Sequence, residues 1–177
     1  MNLPSDMAAR LFLGLWPGHD VRQAIDDHAA AWDWPQRARR TRSERLHLTL
    51  HFLGQRPAGE LPLLRRVLEV GWEGCELQLD RCTVWPGGIA VLESTAVPDA
   101  LARLHAELGA RLAAAGVPVE ERPYRPHVTL ARQASGARPP PDCPPLRWPV
   151  APAYALVQSL SGGRGYQTLQ CFGWAAE

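Results

Sequence analysis

The chain has 177 residues, of which 46% are hydrophobic and 21% charged, enough apolar material to bury a core without staples. Its 19 basic residues against 18 acidic ones leave a net charge of +1, which rules out a basic coat for gripping long nucleic acid but not a local phosphate site. Every basic residue is arginine, so chemistry through a lysyl adenylate, a Schiff-base lysine or a P-loop lysine is excluded.

Arg10 to Trp16 reads as a buried strand ended by Pro17-Gly18. Asp20 is placed to cap a helix over residues 21–32, with Val21, Ala24, Ile25 and His28 at helical spacing. Residues 36–45 carry Arg37, Arg39, Arg40, Arg42 and Arg45 and read as a basic loop. Leu46 to Leu53 alternates: Leu46, Leu48, Leu50 and Phe52 on one face, His47, Thr49 and His51 on the other. A helix over 60–70 follows, and then two strands, 76–85 and 89–93, joined by Pro86-Gly87-Gly88. Pro98 opens a long helix to about Ala115, striped by Leu101, Leu104, Leu108 and Leu112 and stopped by Gly116. The remaining strands cover 127–132, 154–160 and 166–174, and the proline-rich residues 134–152 read as an irregular loop. Short links at 85–89 and 160–166 favour antiparallel pairing, and the glycine-rich turns of a doubly wound sheet are absent, so the class is α+β. Cys75, Cys82, Cys143 and Cys171 show no CxxC spacing and read as thiols in a reducing compartment. With no signal peptide or bilayer-spanning run apparent, the cytoplasm is the expected location.

One repeat stands out. His47-Leu-Thr-Leu50 returns as His127-Val-Thr-Leu130, 80 residues later. Strand geometry points His47 with Thr49, and His127 with Thr129, to one face each, while the aliphatic residues enter the core. Brought side by side, two imidazoles and two hydroxyls suit acid–base chemistry at phosphorus. Neutral imidazole takes a proton from water, imidazolium gives one to a leaving alkoxide, and both forms are accessible near pH 6.5. Hydroxyls donate to the non-bridging oxygens, where charge grows in the transition state. Such a site needs no nucleotide cofactor and no metal, so none is expected.

With these motifs the chain resembles the two-histidine phosphoesterase superfamily, and more closely the bacterial RNA 2′,3′-cyclic phosphodiesterases first named 2′-5′ RNA ligases. The resemblance rests on Arg10-Leu-Phe-Leu-Gly-Leu, on Glu44 to Gly54, on Tyr124-Arg-Pro-His-Val-Thr-Leu-Ala-Arg132, and on the pattern at Tyr154 to Ser159 and Gly165-Tyr166. It implies a single bilobal domain over 1–177, two pseudo-symmetric lobes of largely antiparallel sheet with outer helices and a groove between them. It also implies metal-independent opening of RNA 2′,3′-cyclic phosphate ends to 2′-phosphates; reversible 2′-5′ joining by the same site run in reverse is an alternative. His47 and His127 are then the catalytic pair, the first motif's histidine usually drawn as the acid, with Thr49 and Thr129 as phosphate contacts. Arg132 matches a phosphate-binding arginine, but it stands five residues from His127, so a straight strand points it to the opposite face. It reaches the groove if the strand ends or bulges after Ala131.

His51 departs from the family, whose members often carry arginine or another polar residue there. It shares the predicted face of His47 and is expected to line the groove, where it can touch substrate. Tyr124, Trp85 and Trp16 are candidates for stacking on a base. His19, His28 and His105 read as surface or packing residues without partners. No obligate protein partner or membrane contact is expected, and the chain is read as a monomer acting on RNA ends. Competing readings are a phosphodiesterase for small cyclic nucleotides or ADP-ribose cyclic phosphate, and a non-catalytic module that holds RNA ends.

Overall fold

The first apolar run becomes a strand, β1 (Ala8–Leu15), whose Leu11, Leu13 and Leu15 are fully buried. In this computed structural model residues 8–173 are described, so Trp174 of the predicted last strand lies outside them. Pro17 and Gly18 break the strand and α1 (His19–Ala30) follows, burying Ile25 and Ala29. Its N-cap is Gly18 in extended backbone, not Asp20, whose carboxylate instead complements the helix dipole from the first turn. The basic segment is not wholly irregular: β2 (Arg39–Arg40) pairs with Arg132 and Ala131 of a later strand. Next come β3 (Leu48–Pro57) and α2 (Leu61–Val67), the latter shorter than its apolar pattern.

The predicted strand over 76–85 is two strands. β4 (Cys75–Leu79) and β5 (Arg81–Trp85) part at Asp80, whose carboxylate accepts the Thr95 backbone N–H at 2.8 Å and the Thr95 hydroxyl at 2.6 Å. β6 (Ile89–Glu93) pairs back on β5 through the glycine turn, where Gly87 and Gly88 hold φ of 86° and 72°. Helix α3 (Asp99–Ala114) buries the predicted leucine stripe in full. After β7 (His127–Arg132), the region read as loop contains a strand, β8 (Leu146–Val150). Among the described residues it pairs only with β4, and a single-neighbour strand is the setting that tolerates a proline such as Pro149. β9 (Tyr154–Leu160) and β10 (Gly165–Phe172) complete the chain.

The main sheet is antiparallel, in the order β10-β9-β1-β3-β7-β6-β5, with β2 added on β7; β4 and β8 form a second, two-stranded sheet. Its two halves meet at a thin seam, because β3 and β7 pair through one couple only, Leu48 opposite Val128. Both residues are fully buried in a contiguous core that also holds Leu13, Leu104, Leu108 and Trp148. A small second cluster, Phe12, Ala155 and Val157 with Trp16 against it, lies apart from this core.

Four free thiols were expected, yet Cys82 and Cys143 form a disulfide with Cα atoms 6.3 Å apart, tying β5 to the proline-rich segment, while Cys75 and Cys171 are free. The pairing is contact across 61 residues of sequence, which no local spacing announces. Among the described residues no helix is long and apolar enough to cross a membrane.

Candidate active site

Leu48 and Val128 occupy equivalent places in the two His-x-Thr motifs and face each other across antiparallel strands. A local two-fold axis therefore passes through this pair. It sets His47 across from Thr129 and Thr49 across from His127, and alternation turns all four away from the core that holds Leu48 and Val128. The symmetry extends to the imidazoles. His47 Nδ1 donates to the Arg45 carbonyl and His127 Nδ1 to the Arg125 carbonyl, each at 2.7 Å. A carbonyl only accepts, so Nδ1 keeps its proton in either charge state and Nε2 is the nitrogen that gains and loses one.

Both strands then bulge at the same place. Gly14 faces Thr49 and Leu13 faces His51, leaving Leu50 as the extra residue of β3. Val91 faces Thr129 and Ala90 faces Ala131, leaving Leu130 as the extra residue of β7. Each bulge reverses the parity of the residues beyond it, and the burial of 48–52 repeats at 128–132: buried, half-buried, buried, buried, exposed. Arg132 is thereby turned to the histidines, one residue earlier than the bulge that alternation would have required, and its charge bears on both imidazoles. Phe52, expected in the core, is 57% exposed, with its ring 6.2 Å from that of Phe12.

The same bulge removes His51 from the groove. Only 5% exposed, it packs beneath α3, with Nε2–H donating to the His105 carbonyl at 2.8 Å and its ring stacked 4.0 Å from His105. The expectation that His51 touches substrate is overturned by this parity change. Tyr124 is likewise no base platform: it stacks on the other face of His105 at 3.9 Å, and its hydroxyl donates to the Thr49 carbonyl at 3.3 Å. Burial pushes that hydroxyl well up, so it stays a donor. His105 and His28, read as partnerless, are both partnered; His28 Nδ1 accepts the Trp32 indole N–H at 3.2 Å, and its Nε2 lies 3.7 Å from Cys143 Sγ. Because Nδ1 is the acceptor there, Nε2 carries the proton and has no lone pair to offer a cation, although His28, Cys82 and Cys143 cluster within 4.8 Å.

Burial lowers both groove histidines from their ordinary value; the bond to Arg45 or Arg125 opposes this, and the Arg132 charge reinforces it. Their surroundings differ. His47 lies in an aromatic wall: Trp16 stacked at 5.2 Å, Phe12 at 5.0 Å, and Tyr166 edge-on at 5.2 Å. His127 has Trp85 at 4.3 Å, and the Arg125 guanidinium covers that indole at 4.5 Å. Glu93, 1% exposed and directly across from His127, pairs with Arg125 at 2.6 Å and Arg81 at 2.7 Å. Its charge raises His127.

A sequence model described as the 2′-5′ RNA ligase superfamily matches residues 19–153, three quarters of the chain. The chain belongs to this superfamily. Among its members, the RNA 2′,3′-cyclic phosphodiesterase of Escherichia coli (strain K12) is 31% identical over 160 residues, 88% of this chain and 89% of that one. The protein of the same name from Thermus thermophilus is 34% identical over 149 residues, 75% of this chain and 73% of that one. The crystal structure of E. coli LigT complexed with 3′-AMP superposes with a TM-score of 0.83 at 28% identity, covering 93% of this chain and 97% of that one. A Thermus thermophilus structure, TT0787, gives 0.71 at 30% identity over 92% and 96%.

Within this superfamily fold, the structure gathers His47, Thr49, His127, Thr129 and Arg132 and separates His51. Sequence reasoning missed Phe52, Tyr166, Arg125 and Glu93. The first was hidden by the bulge, and Glu93 ends a strand whose register with His127 no local pattern discloses. The buried imidazoles have a further consequence. Burial lowers His51, and it lowers His105 to about 4 with the His51 charge adding to the effect, whereas an unfolded chain titrates near 6.5. As pH falls from 6.5 towards 4 the unfolded state binds more protons, so stability present above pH 6.5 is lost across that window. Urea midpoints are expected to fall steadily over this range and to fall less in His105→Phe, which keeps a ring in the stack but cannot titrate. A slope unchanged by the substitution would refute the assignment.

Proposed function

We propose that this chain hydrolyses RNA 2′,3′-cyclic phosphate ends to 2′-phosphates by two-histidine acid–base catalysis. The observation that supports the reading is the local two-fold through Leu48 and Val128, with His47 across from Thr129, Thr49 across from His127, both imidazoles bonded through Nδ1 and the Arg132 charge bearing on both. One neutral imidazole takes a proton from water as its oxygen bonds to phosphorus. The P–O3′ bond breaks, and the other imidazole, protonated at Nε2, gives its proton to O3′. Thr49, Thr129 and Arg132 hold the non-bridging oxygens. The relatives named for this reaction and the shared fold support the assignment.

The test is a short RNA with a 2′,3′-cyclic end, incubated in EDTA without ATP, its products resolved as 2′- or 3′-phosphate. A 2′-phosphate is expected. Intact substrate, or activity that depends on a divalent ion, overturns the mechanism. Arg132→Ala is expected to lower kcat/KM by about 10- to 100-fold, the loss of one charge-assisted contact to phosphate. Arg132→Lys should recover only part of it, because a point charge replaces a planar fork.

A further inference from the structure

Beside the aromatic wall of His47 lies a cavity of about 280 Å³ lined by Trp16, Glu44, Arg45, Arg164, Tyr166 and Thr168. Trp16 and Tyr166 are shared: the same two rings that flank His47 also bound this space. Its charge is asymmetric, with two guanidiniums against the single Glu44 carboxylate. Both arginines are held by neutral groups. Arg45 Nη2 donates to the Gly163 carbonyl at 2.8 Å, and Arg164 donates to the Ser161 carbonyl at 3.1 Å and the Ser161 hydroxyl at 3.2 Å. Among the described residues neither lies in an ion pair. Gly165, at φ 113°, makes room for this arrangement, since a Cβ there would stand 3.3 Å from Arg45 Nη2. Arginines fixed in place, short of a counter-charge and in a cavity that shares two rings with His47 are suited to a second anion on the same substrate.

We propose that this cavity is the subsite for the internucleotide phosphate one step upstream of the cyclic end, and that it selects RNA termini over cyclic mononucleotides. The inference rests on the hydrolysis proposed above and adds the residues that recognise the RNA upstream of the cyclic end. A nucleoside 2′,3′-cyclic phosphate has one phosphate, which the histidines hold, and nothing anionic to place in the cavity. A dinucleotide with the same end carries a second phosphate on the 5′ oxygen of the terminal ribose, within reach across Trp16 and Tyr166. Thr168 adds a hydroxyl to the same lining.

The experiment compares kcat/KM for adenosine 2′,3′-cyclic phosphate with that for the dinucleotide ApA ending in the same group. A third substrate is the dinucleotide whose internal linkage is an uncharged methylphosphonate. Wild-type protein is expected to prefer the charged dinucleotide by at least ten-fold, mainly through KM, and to lose that preference with the methylphosphonate. Arg164→Ala should shrink the preference about ten-fold and Arg164→Lys should restore part of it. Arg45→Ala provides a second reading of the same ratio. Equal turnover of the three substrates by wild type, or an Arg164→Ala effect equal on all of them, overturns the subsite and leaves the hydrolysis standing. Failure of wild type to open any of the three overturns the proposed activity, and the subsite falls with it.

Discussion

Replacing either His47 or His127 with alanine is expected to lower turnover of a cyclic-phosphate RNA by about 10²- to 10⁴-fold, the range of a positioned general acid or base. The protein should still fold, since both side chains face the groove and are only partly buried. Circular dichroism and the urea midpoint should therefore stay near wild type while the rate collapses. The double variant should be little slower than either single one, because the two imidazoles act on one transition state and their losses do not add. Near-wild-type rates in either single variant would remove the acid–base assignment. The wild-type pH profile should be bell-shaped with both limbs below 6.5, because burial lowers both histidines from that value.

Glu93→Gln is expected to move one limb of that bell and leave the other in place. The carboxylate lies directly across from His127, on the β6 side of the seam, and raises it, so its removal should shift the His127 limb to lower pH. If the falling limb moves, His127 is the acid; if the rising limb moves, it is the base. A profile that does not move would show that Glu93 has no hold on the chemistry. The same substitution should cost about 2–3 kcal/mol in urea unfolding. That is less than a fully buried pair would lose, because Arg81 and Arg125 are half exposed and water takes over part of their solvation.

The paired His-x-Thr motifs are legible in the sequence because chemistry and strand periodicity coincide there: a histidine and a threonine two residues apart must share a face. That logic holds up to Thr49 and Thr129 and fails one residue later. The bulges at Leu50 and Leu130 carry no side-chain signature, since leucine serves equally in a regular strand. Each nonetheless reverses the assignments that follow it, in β3 as far as a second irregularity at Leu53. Strict alternation puts His51 in the groove, yet it lies under α3; it puts Phe52 in the core, yet that ring is exposed. Arg132 reaches the histidines through a bulge one residue earlier than the point after Ala131. The α+β class and the leucine stripe of α3 follow from periodicity over many residues, which a single irregularity cannot erase. The division at Asp80, the strand β8 and the Cys82–Cys143 link depend on partners 15 to about 75 residues away, beyond the reach of any local pattern.

The two-fold through Leu48 and Val128 has a consequence for product choice. A 2′,3′-cyclic phosphate is itself nearly symmetric, with two ester oxygens of similar leaving ability on one phosphorus. Offered to two nearly equivalent imidazoles, it could open toward either oxygen. Regioselectivity then resides in whatever breaks the equivalence of the two halves: rings gathered on one side, a buried carboxylate with its arginines on the other. Substitutions in Trp16, Tyr166 or Phe52 should therefore register in the ratio of 2′- to 3′-phosphate as well as in rate, and that ratio measures how unlike the two halves have become.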